Sequence, residues 1–335
     1  VVLASYDFSE YIDYLVKVKR PDFIFETLLY LFARFNLNIH ILFFLISSFV
    51  VFTVFYIVRN SIWKDSKNIN IFYTLIIFFS FSLPGLLSGI RFVFGVAWLL
   101  WGVYFYIIKN KKSGLFFILL AFLTHFSTLF FVPAIILIKY KDVIRWNFYY
   151  LYLFSLVFLF LPSSLFISLL GTVNVSEGYN NKIQAYTEGG DFVSGNLQKG
   201  IANQIIYYTR VIWIFVAYLY LLFNKKYNKN ALITQLLFLF LFFLNLTYSI
   251  PTVYSRYLNV VKIVFVLFIL HECYTNIKFS KKTFWIFFIL FGVSFLMDLY
   301  LIRYNLQASL LNKNLLTIVN ILSNKFTLQD VLYNQ

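Results

Sequence analysis

The 335-residue sequence has one cysteine, Cys273, which excludes an intrachain disulfide, and one methionine, Met297. Charge is scarce: 12% of residues are Asp, Glu, Lys or Arg, against 61% hydrophobic and 23% aromatic. Such a composition lies outside the range of soluble domains and leaves a multi-spanning membrane protein as the class. H-E-x-x-H, C-x-x-C, G-x-S-x-G, Walker and Rossmann patterns are all missing, so metal, redox and nucleotide chemistry have no support and no cofactor is expected. No internal repeat is found, and no low-complexity tract beyond the apolar runs. The lone methionine, with much Asn, Lys, Ile and Phe, suggests a low-GC bacterial gene. The opening "VVLA" without Met suggests either that a signal-like or spanning segment ahead of Val1 has been trimmed or that the numbering begins inside the protein.

Acidic residues number 13 against 28 Lys and Arg, a formal charge of +15. The basic residues fall in small clusters between apolar runs, which is how a membrane protein records its orientation and is unlike a nucleic-acid patch. They stand at Arg59, Lys64 and Lys67; Lys109, Lys111 and Lys112; Lys139, Lys141 and Arg145; Lys225, Lys226 and Lys229; and Lys278, Lys281 and Lys282. Segments long enough to cross, about 20 apolar residues each, are expected at 38–58, 69–90, 91–108, 147–170, 205–223, 231–250, 257–273 and 283–302. The fold class is therefore all-α: a polytopic bundle of about eight spans, GT-C-like in architecture, forming a single membrane domain over 1–335.

The apolar run 115–138 is treated separately. A single crossing there would put the second and third basic clusters on opposite sides, whereas a hairpin that enters and returns keeps all five clusters cytoplasmic. Each arm of the hairpin rises only ~15–18 Å, about half of the ~30 Å hydrocarbon core, so its turn at Thr124–Thr128 is expected near mid-membrane. Residues 1–37 and the loop 171–204 then face outward, together with the short turns near Arg91 and Arg256.

Ionisable residues inside apolar runs are hypotheses about function. Arg91 opens its helix, with Gly95, Trp98 and Gly102 following on much the same face, so that a neighbour can approach closely. His125 lies at the hairpin tip beside Ser127 and Thr128. Arg256 follows Pro251 and Tyr254, Lys262 lies further along the same helix, and Arg210 occupies an equivalent depth in another. Each arginine taken alone is equally an interfacial anchor snorkelling to headgroups, and His125 a helix-tying polar residue. Asp298 and Glu272 read as structural or interfacial. The expected topology puts Arg91, Arg210, Arg256 and His125 in one half of the membrane, and grouped cations call for an anion such as phosphate or diphosphate. Glu177, Glu188 and Asp191 in the outward loop offer carboxylates near a sugar hydroxyl, either solvated or acting as a base.

The stretch "GIRFVFGVAWLLWGVYFYIIKNKKSGLFFILLAFLTHFSTLFFVPAIIL" resembles the core of the EpsG/Wzy family of bacterial polysaccharide polymerases. The matching positions are Gly89, Ile90 and Arg91, the basic turn Lys109–Lys112, then His125, Ser127 and Pro133. Asp22 and Phe23 stand where the family has its Glu-Pro-Gly-Phe-like entry, and Arg256 and Tyr257 resemble its late arginine and aromatic. Phe92 occupies the place of the usual glutamine. The resemblance implies a glycosyltransferase in the bacterial inner membrane, active on its periplasmic or external face. It would join O-antigen or capsular repeat units carried on undecaprenyl diphosphate, with membrane lipids, a chain-length regulator and a flippase as partners and no nucleic acid. Combined with the residue readings above, the expected catalytic residues are Arg91, His125 and Arg256, with Arg210, Ser127, Lys262, Glu177, Glu188 and Asp191 expected to contact substrate. A flippase of lipid-linked oligosaccharide, an O-antigen ligase and an acyltransferase are the rival readings.

Overall fold

The computed structural model describes residues 6–18, 22–63, 71–144, 147–160, 200–224, 227–276 and 279–302. The outward-loop carboxylates Glu177, Glu188 and Asp191 lie outside them, as does part of the expected span 147–170. Among the described residues every regular element is helical. Five helices among the described residues are long and apolar enough to cross a membrane: Ile39–Ser61, Ile90–Ile108, Ile201–Phe223, Pro251–Thr275 and Lys281–Leu301. The protein is thus an all-α polytopic membrane protein, and its chain folds as two compact units.

The first unit comprises Val1–Arg59, Leu83–Val132 and Leu299–Gln335. It begins with an amphipathic helix, α1 (Phe8–Val18), whose start is closed reciprocally. Asp7 Oδ1 accepts the Glu10 N–H at 2.8 Å, and Glu10 Oε2 accepts the Asp7 N–H at 2.9 Å. This satisfies two backbone donors that a bare helix end would leave open. The Glu10 N–H and the Ser9 hydroxyl also stabilise the Asp7 carboxylate, lowering its pKa from the ordinary value. α2 (Phe23–Arg34) packs on α1 through Tyr11 and Tyr30, stacked at 4.0 Å. Helices α3 (Ile39–Ser61), α5 (Leu83–Ser88) and α6 (Ile90–Val103, ending in a π turn Tyr104–Ile108) follow in this unit.

The reversal after α6 is made by Asn110, at φ 54°, a left-handed conformation that asparagine tolerates. α7 (Gly114–Thr124) then runs back along α6. Glycines set this contact: a Cβ on Gly102 would stand 2.6 Å from Ile118 Cγ1, and one on Gly114 2.4 Å from Tyr106 N. Gly114→Ala would have to part the two helices at a backbone atom, so it should cost about 1–3 kcal/mol, seen as earlier thermal unfolding in detergent. Trp101, Phe105 and Phe117 stack across the same pair, Trp101–Phe105 at 5.5 Å and Phe105–Phe117 at 5.2 Å.

The second unit comprises Asn60–Ser82 and Pro133–Asp298. Its helices are α4 (Ile71–Ser80), most of α8 (Val132–Lys139), α9 (Lys141–Ile144), α10 (Phe148–Ser155, followed by a 3-10 turn Leu156–Phe160), α11 (Ile201–Phe223), α12 (Leu232–Leu246), α13 (Pro251–Thr275) and nearly all of α14 (Lys281–Leu301). α12 packs on α10 and α13, and α4 on α13. A buried chain of hydrogen bonds joins three of them: Tyr218 donates to Asn245 Oδ1 at 2.5 Å, and Asn245 Nδ2 to Ser155 Oγ at 2.8 Å.

Three expectations about length change, and the first is 231–250, where the helix is only the 15 residues of α12 and falls short of a full span. The stretch 69–90 is two helices, α4 and α5, rather than one span. Pro84 has no N–H to return to the Ser80 carbonyl, whereas in the first turn of α5 its missing donor is harmless. α13 begins at Pro251, earlier than expected, because that proline fits the first helical position.

Candidate functional site

In the first unit the site is assembled from three places: the start of α2, the start of α6, and the break between α7 and a 3-10 turn, Phe126–Phe131. The break falls at His125, whose extended backbone (φ −155°, ψ 114°) ends α7. A Cβ on Gly95 would meet His125 Cβ at 3.1 Å and Thr128 Cγ2 at 2.9 Å. Absence of a side chain at Gly95 therefore seats this turn directly on α6. Along α6 the turn stands level with Gly95, little more than one turn from the helix start. The cause is that α7 pairs with most of α6, from Tyr106 back to Gly95.

Arg91 and His125, both expected site residues, belong to this cluster. Arg91 Nη1 lies 3.2 Å from Asp22 Oδ2 and 3.6 Å from Glu26 Oε1. The other oxygen of Asp22 accepts the N–H of Phe126 at 3.3 Å. One carboxylate thereby ties the arginine to the residue following His125. Asp22 and Glu26 are largely buried, with side-chain exposures of 14% and 5%, while Arg91 keeps 45% of its side chain exposed. Phe25 faces the guanidinium at 5.9 Å, and Phe92 meets the His125 ring edge-on at 5.5 Å.

Ser127 contacts His125 twice at the same atom. Its backbone N–H donates to His125 Nδ1 at 3.2 Å, and its Oγ lies 2.8 Å from that nitrogen. A backbone N–H can only donate, so Nδ1 must present its lone pair, and the ring hydrogen of neutral His125 belongs on Nε2.

Sequence reasoning finds the arginine and the histidine but not the carboxylate partners. Asp22 is legible only as part of an entry motif, and Glu26 goes unremarked. Their signal is the four-residue spacing in "PDFIFETLLY", which puts both acids on one face of an otherwise apolar helix start. Their presence changes the electrostatics. Both carboxylates lie within 3.6 Å of the one guanidinium, so the positive charge of Arg91 is already engaged by groups of the protein.

The second unit holds Arg210, Lys262 and Arg256. Arg210 Nε donates to Asp298 Oδ1 at 2.5 Å, and Lys262 Nζ to Ser294 Oγ at 3.0 Å. Ser294 Oγ in turn donates to the Arg210 carbonyl at 2.9 Å. Arg210, expected as a substrate-binding cation, thus has Asp298 as its counter-ion, while Lys262 is 3% exposed and lies over the Phe291 ring at 5.4 Å. These contacts tie α11, α13 and α14 together, in keeping with the structural reading of Asp298. Arg256 is exposed and makes no ion pair among the described residues.

An all-α membrane bundle with a polar site of one arginine, two carboxylates and a histidine-bearing turn defines the general class. The chain belongs to the EpsG family, whose model matches residues 3–312. Membership supports a polysaccharide-polymerase type of function, broadly defined, for this membrane protein. No curated protein and no solved structure gives a significant match to the chain.

Proposed function

We propose that the protein is a glycosyltransferase of the bacterial cytoplasmic membrane that polymerises lipid-linked oligosaccharide repeat units on the membrane's outer face. The growing chain leaves its undecaprenyl diphosphate and is joined to a hydroxyl of the next lipid-linked unit, as in O-antigen or capsule assembly. A flippase and a chain-length regulator act beside it. The observation that carries this reading is the grouping of Arg91 with His125 at family-motif positions, in a chain matched by the family over 3–312. Arg91, His125 and Arg256 are the residues of the reaction, with Ser127, Arg210 and Lys262 supporting substrate contacts. Glu177, Glu188 and Asp191 are further candidates for contact with the sugars. A flippase requires differential access from two sides and no bond-making group, so the catalytic assay separates the two.

Purified protein in liposomes, given lipid-linked repeat units, should produce a ladder of lengthening glycans on a gel. Single units that persist throughout would refute the reading. Arg256→Ala should abolish the ladder at unchanged protein level, because the side chain is exposed and its charge serves the leaving diphosphate. A full ladder from this variant would remove Arg256 from the reaction.

A further inference from the structure

We propose that α1 is a surface helix lying in the plane of the membrane, with its Phe8 and Ile12 side chains seated in lipid at the boundary between headgroups and hydrocarbon. Such a seat requires only a membrane-spanning chain, whether or not the protein is a polymerase.

The described side chains of α1 (Phe8–Val18) fall into three sectors around its axis. Tyr11 and Leu15 are buried towards the protein, where Tyr11 stacks on Tyr30 of α2 at 4.0 Å. Ser9, Glu10 and Asp13 are exposed, and they form a polar sector suited to water. Phe8 and Ile12, one turn apart, stand between the other two sectors and are 68% and 42% exposed. A helix with water over the whole of its outer side would be polar throughout that side. An apolar sector beside a polar one, both turned away from the protein, is the pattern of a helix lying between hydrocarbon and water.

Lipid is the occupant because of where the chain goes next. α2 ends with Leu31 and Phe35, also one turn apart and exposed, and α3, long and apolar enough to cross the membrane, begins at Ile39. α1 is bound to the helix that leads into this span by the Tyr11–Tyr30 stack and by the Tyr30 hydroxyl, which donates to the Tyr6 carbonyl at 3.3 Å. The half-buried Tyr6 and Tyr14 rings, 5.7 Å apart, add residues of the type that gathers at headgroup level.

The seat of α1 also bears on the polar site. The Tyr11 hydroxyl donates to Thr27 Oγ1 at 2.9 Å, and Thr27 Oγ1 donates to the Phe23 carbonyl at 2.7 Å. Asp22, immediately before Phe23, therefore holds Arg91 from a helix start braced against α1. By seating α1, the lipid surface sets the depth of the Asp22–Arg91 contact.

The test uses the full chain in phosphatidylcholine nanodiscs, with its only cysteine removed by Cys273→Ser or Cys273→Ala. Spin labels are attached one at a time through Phe8→Cys, Ile12→Cys, Ser9→Cys and Asp13→Cys. Relaxation by oxygen, which concentrates in hydrocarbon, is compared with relaxation by a water-soluble nickel chelate. The oxygen-to-nickel ratio should be several-fold higher at Phe8 and Ile12 than at Ser9 and Asp13, and Ile12→Cys carries the same expectation should Phe8→Cys fold poorly. Equal or reversed ratios would put both sectors in one medium and overturn the proposal. Labels at Phe8 and Ile12 that neither reagent reaches would overturn it in favour of a protein partner.

Discussion

Arg91→Ala should reduce the product from long chains to single repeat units, a loss of activity on the order of 100-fold or more if the guanidinium acts in the transition state. The same substitution leaves Asp22 and Glu26 facing each other without their cation. Removing one partner of a buried ion pair costs ~3–5 kcal/mol, and partial exposure of Arg91 reduces this to about 2 kcal/mol. Two effects are therefore mixed in the single variant, and a triple variant separates them. Arg91→Ala combined with Asp22→Asn and Glu26→Gln also removes the two carboxylates that had paired with the guanidinium, so thermal stability should return towards wild type while polymerisation stays absent. Restored chain length in the triple variant would show that Arg91 serves folding only. Arg91→Lys should fall between, since a single ammonium cannot reproduce the guanidinium's planar set of donors.

The second large effect is expected in the other unit. Asp298 is 1% exposed and pairs with Arg210, with Lys262 held nearby through Ser294. Asp298→Ala leaves Arg210 and Lys262 as two cations without a carboxylate, which should cost ~3–5 kcal/mol. Little folded protein should then be recovered after detergent extraction. Pairing it with Arg210→Met should restore much of the yield, because neutralising both ends of a buried pair is far milder than breaking one. Equal yields from single and double variants would show that the pair carries no structural weight.

Legibility in the sequence follows the range over which each property is decided. The all-α class and the five long helices are written locally, in composition and in runs of apolar residues. So is the break at His125, where "THFST" interrupts a greasy run. Arg91 and His125 come together as expected because their shared motif sits on two adjacent helices with glycines between them. Which charges meet across longer distances is a different matter. Asp22 and Arg91 are 69 residues apart, Arg210 and Asp298 are 88, and no periodicity reports such pairings. For this reason grouped arginines read as a basic pocket, although in the fold two of them already have carboxylate partners. The interruption at Pro84 is hidden for another reason, since apolar content measures length but says nothing of a missing backbone donor.

The double grip of Asp22 also orders events during synthesis. Its two partners lie 69 and 104 residues downstream, at Arg91 and Phe126. The acidic start of α2 therefore leaves the ribosome before either partner has been made. Until Arg91 and then Phe126 have been made, Asp22 lacks these two contacts. Completion of this corner thus has to await the insertion of α6 and α7, and a nascent chain halted before Phe126 carries the two acids with their final partners incomplete.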